Sequence, residues 1–430
     1  MRVEPRACLR RGSLDTMTFL NEVVLRHPDA ISFAPGRPIE SLFDVRGVLA
    51  GIDQWVDHSV AARGSTPETE ISALGQYGQT AGIIQDLIAE HLACDMGLRV
   101  DPAAIVVTSG CQEAMTIVVL GILDPAVDVL LVADPTYVGI VGIARLANVP
   151  VHPVPSGPEG VEPAAVERAI DEVRRSGRRA RALYLIPDFD NPLGTCLPLA
   201  TRRELLAVAA RHDLLILEDN PYGAYVYDAG SIPTLKALDP GGVVIYLGSF
   251  AKVLFPGLRI GYLVADQTTA DEGERVASAL TKVKSFTTVN TPPLMQAAVG
   301  ALLRANGGSL ASVVRGKLPR YRAHRDQMLM SLETHFGAAR ARGDVRWNRP
   351  AGGFFMTLEL PFAFGAEELG RCSGDYGVIV CPMSFFSILP GREHCIRLSF
   401  SYGPEADIEA GIERLASFVN DEIERRAIRT

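Results

Sequence analysis

Ser249-Phe250-Ala251-Lys252-Val253-Leu254-Phe255-Pro256-Gly257-Leu258-Arg259-Ile260-Gly261-Tyr262 is the run around which the chain is organised. The run before it, Val243-Val244-Ile245-Tyr246-Leu247, is apolar and rich in β-branched residues, and reads as a buried strand ended by Gly248. A lysine then stands in a loop, with a Pro-Gly turn and an arginine seven residues later. The chain has only five lysines (236, 252, 282, 284 and 317), so a lysine in this setting is a pointed choice.

Working outward, the 430 residues suit two domains. An apolar fraction of 47% and a charged fraction of 21% are those of a soluble globular chain. The net charge of −8 and the lack of any basic run argue against a nucleic-acid partner. No apolar segment is long enough for a membrane span, and the basic Met1–Arg11 lacks a following apolar region, so neither a membrane anchor nor a signal peptide is expected. Seven scattered cysteines without a CxxC pair fit a reducing cytoplasm and suggest no metal site. No GxGxxG or P-loop pattern supports a dinucleotide or nucleoside-triphosphate site.

Read in order, residues 1 to about 12 look like a loose arm, and a helix is expected over Met17 to Arg26. Ile31-Ser32-Phe33-Ala34 leads into the turn Pro35-Gly36-Arg37-Pro38, and Gln76-Tyr77-Gly78-Gln79-Thr80-Ala81-Gly82 is expected to open a helix running to about Leu92. Strands are expected near 104, 129, 183, 214 and 243, alternating with helices, the charged one spanning about Pro163 to Arg178 and the next Thr201 to Arg211. Each strand ends in polar candidates, and carboxyl ends of strands are where ligands bind in open α/β sheets. After Ala104-Ile105-Val106-Val107 come the small residues of Thr108-Ser109-Gly110-Cys111-Gln112. At a strand-to-helix junction these leave backbone N–H groups and a helix dipole facing outward, a ready anion site. Tyr137, just past a strand end, can stack on a planar ring. Asp219, at the end of Leu214-Leu215-Ile216-Leu217, is a carboxylate that is costly to bury without a partner. Further along, a long amphipathic pattern over about Leu310 to Phe336 leads to a small domain. It would contain the hairpin Pro350-Ala351-Gly352-Gly353-Phe354-Phe355-Met356 and the strands Gly377–Cys381 and Cys395–Phe400.

The stretch around Lys252 resembles the Schiff-base lysine motif of pyridoxal-phosphate enzymes with the aspartate-aminotransferase fold, class I/II. The rest of the chain, from about residue 30 to 420, follows the same family in order: the "isfaxGxP" turn at Gly36, the "YGxxxG" segment at Tyr77, the "GSQ" cup at Gly110-Cys111-Gln112, "NPxG" at Asn191, the "PxGGxF" hairpin, and "RLSF" at Arg397. The spacings of 28 residues from Asn191 to Asp219 and 33 from Asp219 to Lys252 are also similar to the family's.

The resemblance implies fold type I: an α/β protein with a mostly parallel sheet covered by helices on both faces, plus a smaller α+β domain. The expected division is an arm and part of the small domain in 1–60, a large cofactor domain in 61–310, and a small domain in 311–430. It also implies a homodimer with shared sites, in which Tyr77 reaches the partner's cofactor phosphate. The cofactor is expected to be pyridoxal 5′-phosphate, bound covalently by Lys252. Asp219 would face its ring nitrogen, Asn191 and Tyr222 its phenolic oxygen, and Tyr137 its ring face. Ser249, Arg259 and the amides of Gly110, Cys111 and Gln112 would hold its phosphate. Gly36, Asn191 and Arg397 would bind the substrate carboxylate, since a planar guanidinium pairs with carboxylate bidentately.

Two departures stand out: Cys111 occupies the usual serine position, and Met383-Ser384-Phe385-Phe386 follows Pro382 where a Pro-Gly turn is common. The expected activity is aminotransfer between an α-amino acid and a keto acid, in specialised metabolism such as that of arylglycines. β-Elimination at carbon–sulfur bonds and oxidative, including decarboxylating, deamination remain open because they use the same residues. A transcription regulator built on this fold is the contrasting class; the chain ahead of Tyr77 carries no basic helix-turn-helix to support it.

Overall fold

The computed structural model describes residues 26–228, 230–270 and 273–428. The expected arm and all but the end of the expected helix at 17–26 lie outside them. The described chain opens with β1 (Ile31–Ser32), α1 (Val45–Arg63), α2 (Pro67–Leu74) and α3 (Gln85–Met96). β2 (Ile105–Thr108), α4 (Cys111–Ile122), β3 (Asp128–Asp134), α5 (Val138–Leu146), β4 (Val151–Gly157) and β5 (Gly160–Val161) follow. Next come α6 (Pro163–Arg175), β6 (Arg179–Leu185), α7 (Leu199–His212), β7 (Leu215–Asp219), β8 (Val244–Ser249) and β9 (Gly261–Val264). Helices α8 (Val276–Thr287), α9 (Pro293–Ala305) and the long α10 (Ala311–Arg342) lead to β10 (Arg346–Trp347) and β11 (Phe355–Glu359). The chain closes with α11 (Ala366–Gly374), β12 (Val378–Ile379), β13 (Cys381–Pro382), β14 (Cys395–Ser399) and α12 (Ala406–Ala427).

The large sheet has the order β2-β9-β8-β7-β6-β3-β4-β5. The run from β8 to β4 is parallel, and β9 is inserted antiparallel between β8 and β2. Its strands are apolar on both faces because helices cover both. Leu130, Ala182, Leu217 and Ile245 belong to one core with Met115 and Ile117 of α4. Their neighbours Leu131, Leu183, Ile216 and Val244 belong to another with α6 and α7. The period of two therefore puts Tyr184 and Leu217 on the α4 side, and the same parity carries Asp219. β2, β3, β6, β7 and β8 all point their carboxyl ends at one edge. Every strand-end candidate from Thr108 to Ser249 lies along it.

The small sheet, β10-β11-β14-β13, holds Arg397 on the interior strand β14, between Thr357 and Cys381. β1 pairs with β12 in parallel. The chain ahead of α1 thus runs with the C-terminal strands, whereas α1 buries Val48, Trp55 and Val56 in the core that contains α9.

Four local expectations are corrected. The helix expected from Gln76 starts only at Gln85 and runs on to Met96. Gly82 turns back on Gln79, the Val107 N–H bonds the Ala81 carbonyl, and the Ile83 N–H bonds Gln296, so this segment spends its hydrogen bonds on neighbours. The helix expected to reach Arg178 stops at Arg175, ahead of Gly177 with φ 76°. Gly377–Cys381 is two strands serving different sheets. β8 continues through Gly248 to Ser249, which pairs with Gly261.

The loop after β6 is stapled by Arg202, a fully buried side chain on α7. It donates to the carbonyls of Pro187 (3.2 Å), Leu197 (3.0 Å) and Pro233 (3.1 Å) and to both oxygens of Asp188. Arg202→Met leaves Asp188 buried without its cation, which costs about 3–5 kcal/mol. Denaturant unfolding should show this loss. A change below about 1 kcal/mol would mean that the Asn220 amide, 3.2 Å from Asp188, suffices as a partner.

Candidate active site

A cavity of about 330 Å³ opens along the carboxyl edge of the large sheet and is closed on its far side by Arg397 of the small one. It is lined by every site residue expected from the sequence except Gly110, which lies behind Cys111, and Tyr77. Tyr77 is 79% exposed on the surface, its N–H held by the Gln76 side chain. The cavity of its own chain does not receive it.

Lys252 projects from the loop after β8, and its Nζ donates to the Gly36 carbonyl at 2.7 Å. Burial pushes its pKa down to about 8; the nearby Arg397, Arg259 and Arg37 add to the shift and Asp219 opposes it. Deeper in, Asp219 is 4% exposed at the end of β7. Burial raises its pKa, while two donors and the charge of Lys252 pull it back. The donors are the Tyr184 hydroxyl at 2.7 Å and the Cys111 thiol at 3.1 Å, one on each carboxylate oxygen. Burial pushes the Cys111 thiol well up, so it serves here as a proton donor and not as a thiolate. Tyr222 packs edge-on against Phe354 and Phe355. Tyr137 donates to Gln112 Oε1 at 3.2 Å, and burial raises its pKa.

At one end of the cavity the chain forms a cup. Gly110 takes φ 81° as it enters α4, and Gly261 passes so close that a side chain there would meet the Gly110 backbone at 2.7 Å. The amides of Cys111 and Gln112 open the helix, where no carbonyl lies behind them. Arg259, held at a left-handed φ of 51°, donates from Nη2 to the Ser109 carbonyl at 3.0 Å. Ser249 stands opposite, its Oγ accepting the Ala251 N–H at 3.1 Å.

At the other end the Arg397 guanidinium is sandwiched between Phe355 and Phe386, 4.5 and 4.6 Å from the ring centres. Nη1 donates to Asn191 Oδ1 at 2.6 Å and Nη2 to the Ala34 carbonyl; Nε is buried with no partner. Among the described residues no carboxylate pairs with it.

Tyr184, Phe355 and Phe386 were not read from the sequence as site residues. Tyr184 looks like core in an apolar strand; only its register beside Leu217 betrays it. Phe386 falls in the departing segment, which is tied to the large sheet. Its carbonyl accepts the Thr136 N–H at 2.9 Å, and Asp134 accepts from Ser387 Oγ (2.5 Å) and from the N–H groups of Ile388 (2.6 Å) and Leu389 (3.3 Å). Among the described residues no group of three or more metal-ligating side chains occurs, and no helix is long and apolar enough to cross a membrane.

The family model for aminotransferases of class I and II matches residues 56–415. The (S)-3,5-dihydroxyphenylglycine transaminase of Amycolatopsis orientalis is 40% identical over 407 residues, 95% of this chain and 92% of that one. Aromatic-amino-acid aminotransferase 1 of Thermococcus litoralis is 30% identical, over 92% of this chain and 89% of its own. Among solved structures, the α-aminoadipate aminotransferase LysN of Thermus thermophilus, complexed with N-(5′-phosphopyridoxyl)-L-leucine, superposes with a TM-score of 0.79. It is 29% identical and covers 98% of both chains.

The lowered pKa gives a test that needs no ligand. Lysine is nucleophilic only when neutral, so amine-reactive labelling of Lys252, followed by peptide mass spectrometry, should rise through a midpoint of about 8. Arg397→Gln removes a nearby positive charge that favours the neutral amine, so the midpoint should move up. A midpoint near the ordinary lysine range, or one that falls in the variant, would contradict this electrostatic account.

Proposed function

The chain belongs to the class I and II aminotransferases, and from that membership we propose how its residues divide the work and what it acts on. It is a pyridoxal-phosphate-dependent enzyme that exchanges an amino group between α-amino acids and keto acids. The cavity fits the cofactor in its donor set: an amine at mid-depth, a buried carboxylate beyond it, and a cup of backbone amides and arginine at one end. A guanidinium with an unpaired N–H stands at the other end. When bound, the cofactor supplies an aldehyde to take up the amino group and a protonated ring that delocalises the electron pair left at the α-carbon.

In this reading Lys252 would hold the cofactor's aldehyde carbon, and its amine would be the group that takes up and redelivers the substrate's α-proton. Asp219 would keep a proton on the ring nitrogen, and Tyr184 and Cys111 hold Asp219 in place. Asn191 and Tyr222 would hydrogen-bond the phenolic oxygen, and Tyr137 would cover the ring. The amides of Cys111 and Gln112, with Gly110 shaping the turn, join Ser249 and Arg259 around the phosphate. Arg397 receives the substrate carboxylate, with Gly36 and Asn191 alongside. Phe355 and Phe386 exclude water from its faces, which strengthens a charge-assisted bond. The observation that carries the assignment is the convergence of Lys252, Asp219 and Arg397 on one cavity.

For the amino acid itself we propose an arylglycine-type substrate, in a specialised pathway of the cytoplasm. The support is the 40% identity to the dihydroxyphenylglycine transaminase. The division into a large domain to about 310 and a small domain from 311 is kept as part of the proposal. One change is made: α1 goes with the large domain, because its apolar face joins the core of α9. A homodimer with shared sites is also proposed. Tyr77 is exposed and does not line its own cavity, and Phe286 (92%), Val289 (47%) and Leu294 (44%) are exposed apolar side chains in the neighbouring segment.

The substrate test is a panel of (S)-arylglycines, aromatic amino acids and aliphatic amino acids offered with keto-acid acceptors. Products are assayed as keto acid, as pyruvate plus thiol, and as peroxide. Keto acid formed fastest from arylglycines, and only with an acceptor present, is expected. Acceptor-independent pyruvate or peroxide would overturn aminotransfer as the main activity, and a preference for aliphatic donors would overturn the substrate assignment.

The shared site is tested by a mixed dimer, one subunit carrying Lys252→Ala and the other Tyr77→Phe. If Tyr77 serves the partner, one site carries both lesions and the other neither, so about half the activity survives with ordinary cofactor affinity. The phenol is worth about 1 kcal/mol. If it serves its own subunit, the one lysine-bearing site should retain the cofactor several-fold less tightly. An active monomer in sedimentation would refute sharing altogether.

A further inference from the structure

We propose that Lys284, outside the cavity, is a positioning residue for the cofactor's phosphate: its ammonium neutralises Glu113, the carboxylate that holds the rim of the cup. The inference rests on the phosphate site assigned above. Glu113 lies in the first turn of α4, 9% exposed, and accepts the N–H of Ser109, which fixes the turn ahead of Gly110. The Ser109 carbonyl in turn receives Arg259 Nη2. One carboxylate thus ties down both the turn that presents the cup's amides and the carbonyl against which its guanidinium leans.

The same carboxylate is a liability. A helix N-terminus attracts anions, and Glu113 would compete with any phosphate bound there and repel it through a low-dielectric wall. Lys284 removes the conflict. It is fully buried on α8, and its Nζ lies 3.0 and 3.1 Å from the two oxygens of Glu113 and 3.0 Å from Thr288 Oγ1. Thr288 also donates to Glu113. Burying an ammonium is costly, and burial does lower its pKa, with Glu113 as the opposing charge. No atom of Lys284 lines the cavity, so it acts through Glu113.

The test compares two ligands that differ only in the phosphate. Wild-type apoprotein, Lys284→Met, Glu113→Gln and the double variant are titrated with pyridoxal 5′-phosphate and with pyridoxal, followed by absorbance. Lys284→Met should lose at least about tenfold in affinity for the phosphorylated ligand, since the exposed repulsion acts over several ångströms at an effective dielectric near 20. Pyridoxal affinity should stay unchanged. Glu113→Gln should bind the phosphorylated ligand at least as tightly as wild type, and the double variant should recover most of the loss.

Equal losses for both ligands, no loss, or a double variant as weak as Lys284→Met would overturn the proposal. If Lys284→Met does not fold, the comparison of Glu113→Gln with wild type decides, and weaker phosphate binding there overturns it. A wild-type protein that does not prefer the phosphorylated ligand removes the phosphate assignment itself. A preserved preference with an indifferent Lys284→Met removes only the role of Lys284.

Discussion

Asp219 is a carboxylate at the end of a strand buried on both faces, and the site is built around the need to keep it charged there. Alone, its desolvation would favour the neutral acid. Two neutral donors, Tyr184 and Cys111, cap its oxygens from different elements, and the Lys252 charge pulls in the same direction. Lys252 is subject to the opposite demand: burial and three arginines favour its neutral amine. The shared cavity therefore holds an acid whose pKa burial raises against the contacts that favour its charge, and a base whose pKa its surroundings lower.

The same logic recurs away from the chemistry. Arg202 with Asp188, and Lys284 with Glu113, are buried ion pairs that hold the loop after β6 and the turn before α4. Each fixes a loop that reaches the cavity, which suggests that the fold uses buried charge for placement more than for stability.

Much of this could be read from the residues, because strand ends that switch abruptly from aliphatic to polar mark the working edge of a parallel sheet. Lys252, Asp219, Asn191 and Arg397 all lie at such switches or in short motifs of fixed order. The misses have one physical origin: they depend on partners distant in sequence. Tyr184 matters only because its strand registers beside β7. The segment from Tyr77 to Ile84 is not helical because Val107 and Gln296 claim its hydrogen bonds. Gly377–Cys381 splits because its first half pairs with a strand more than 300 residues earlier. Phe386 could not be placed because the family pattern breaks there, and its position comes from Asp134 and Thr136.

That last attachment has a mechanical consequence. Asp134 closes β3 of the large sheet, and its carboxylate gathers the Ser387 hydroxyl and two backbone N–H groups from the segment that lays Phe386 on Arg397. These bonds share one acceptor, and the Phe386 carbonyl is tied beside them to the Thr136 N–H. Any parting of the segment from the sheet must break them together and strip one aromatic wall from the arginine in the same stroke. The wall on Arg397 is therefore set by the large sheet as much as by the segment that carries it.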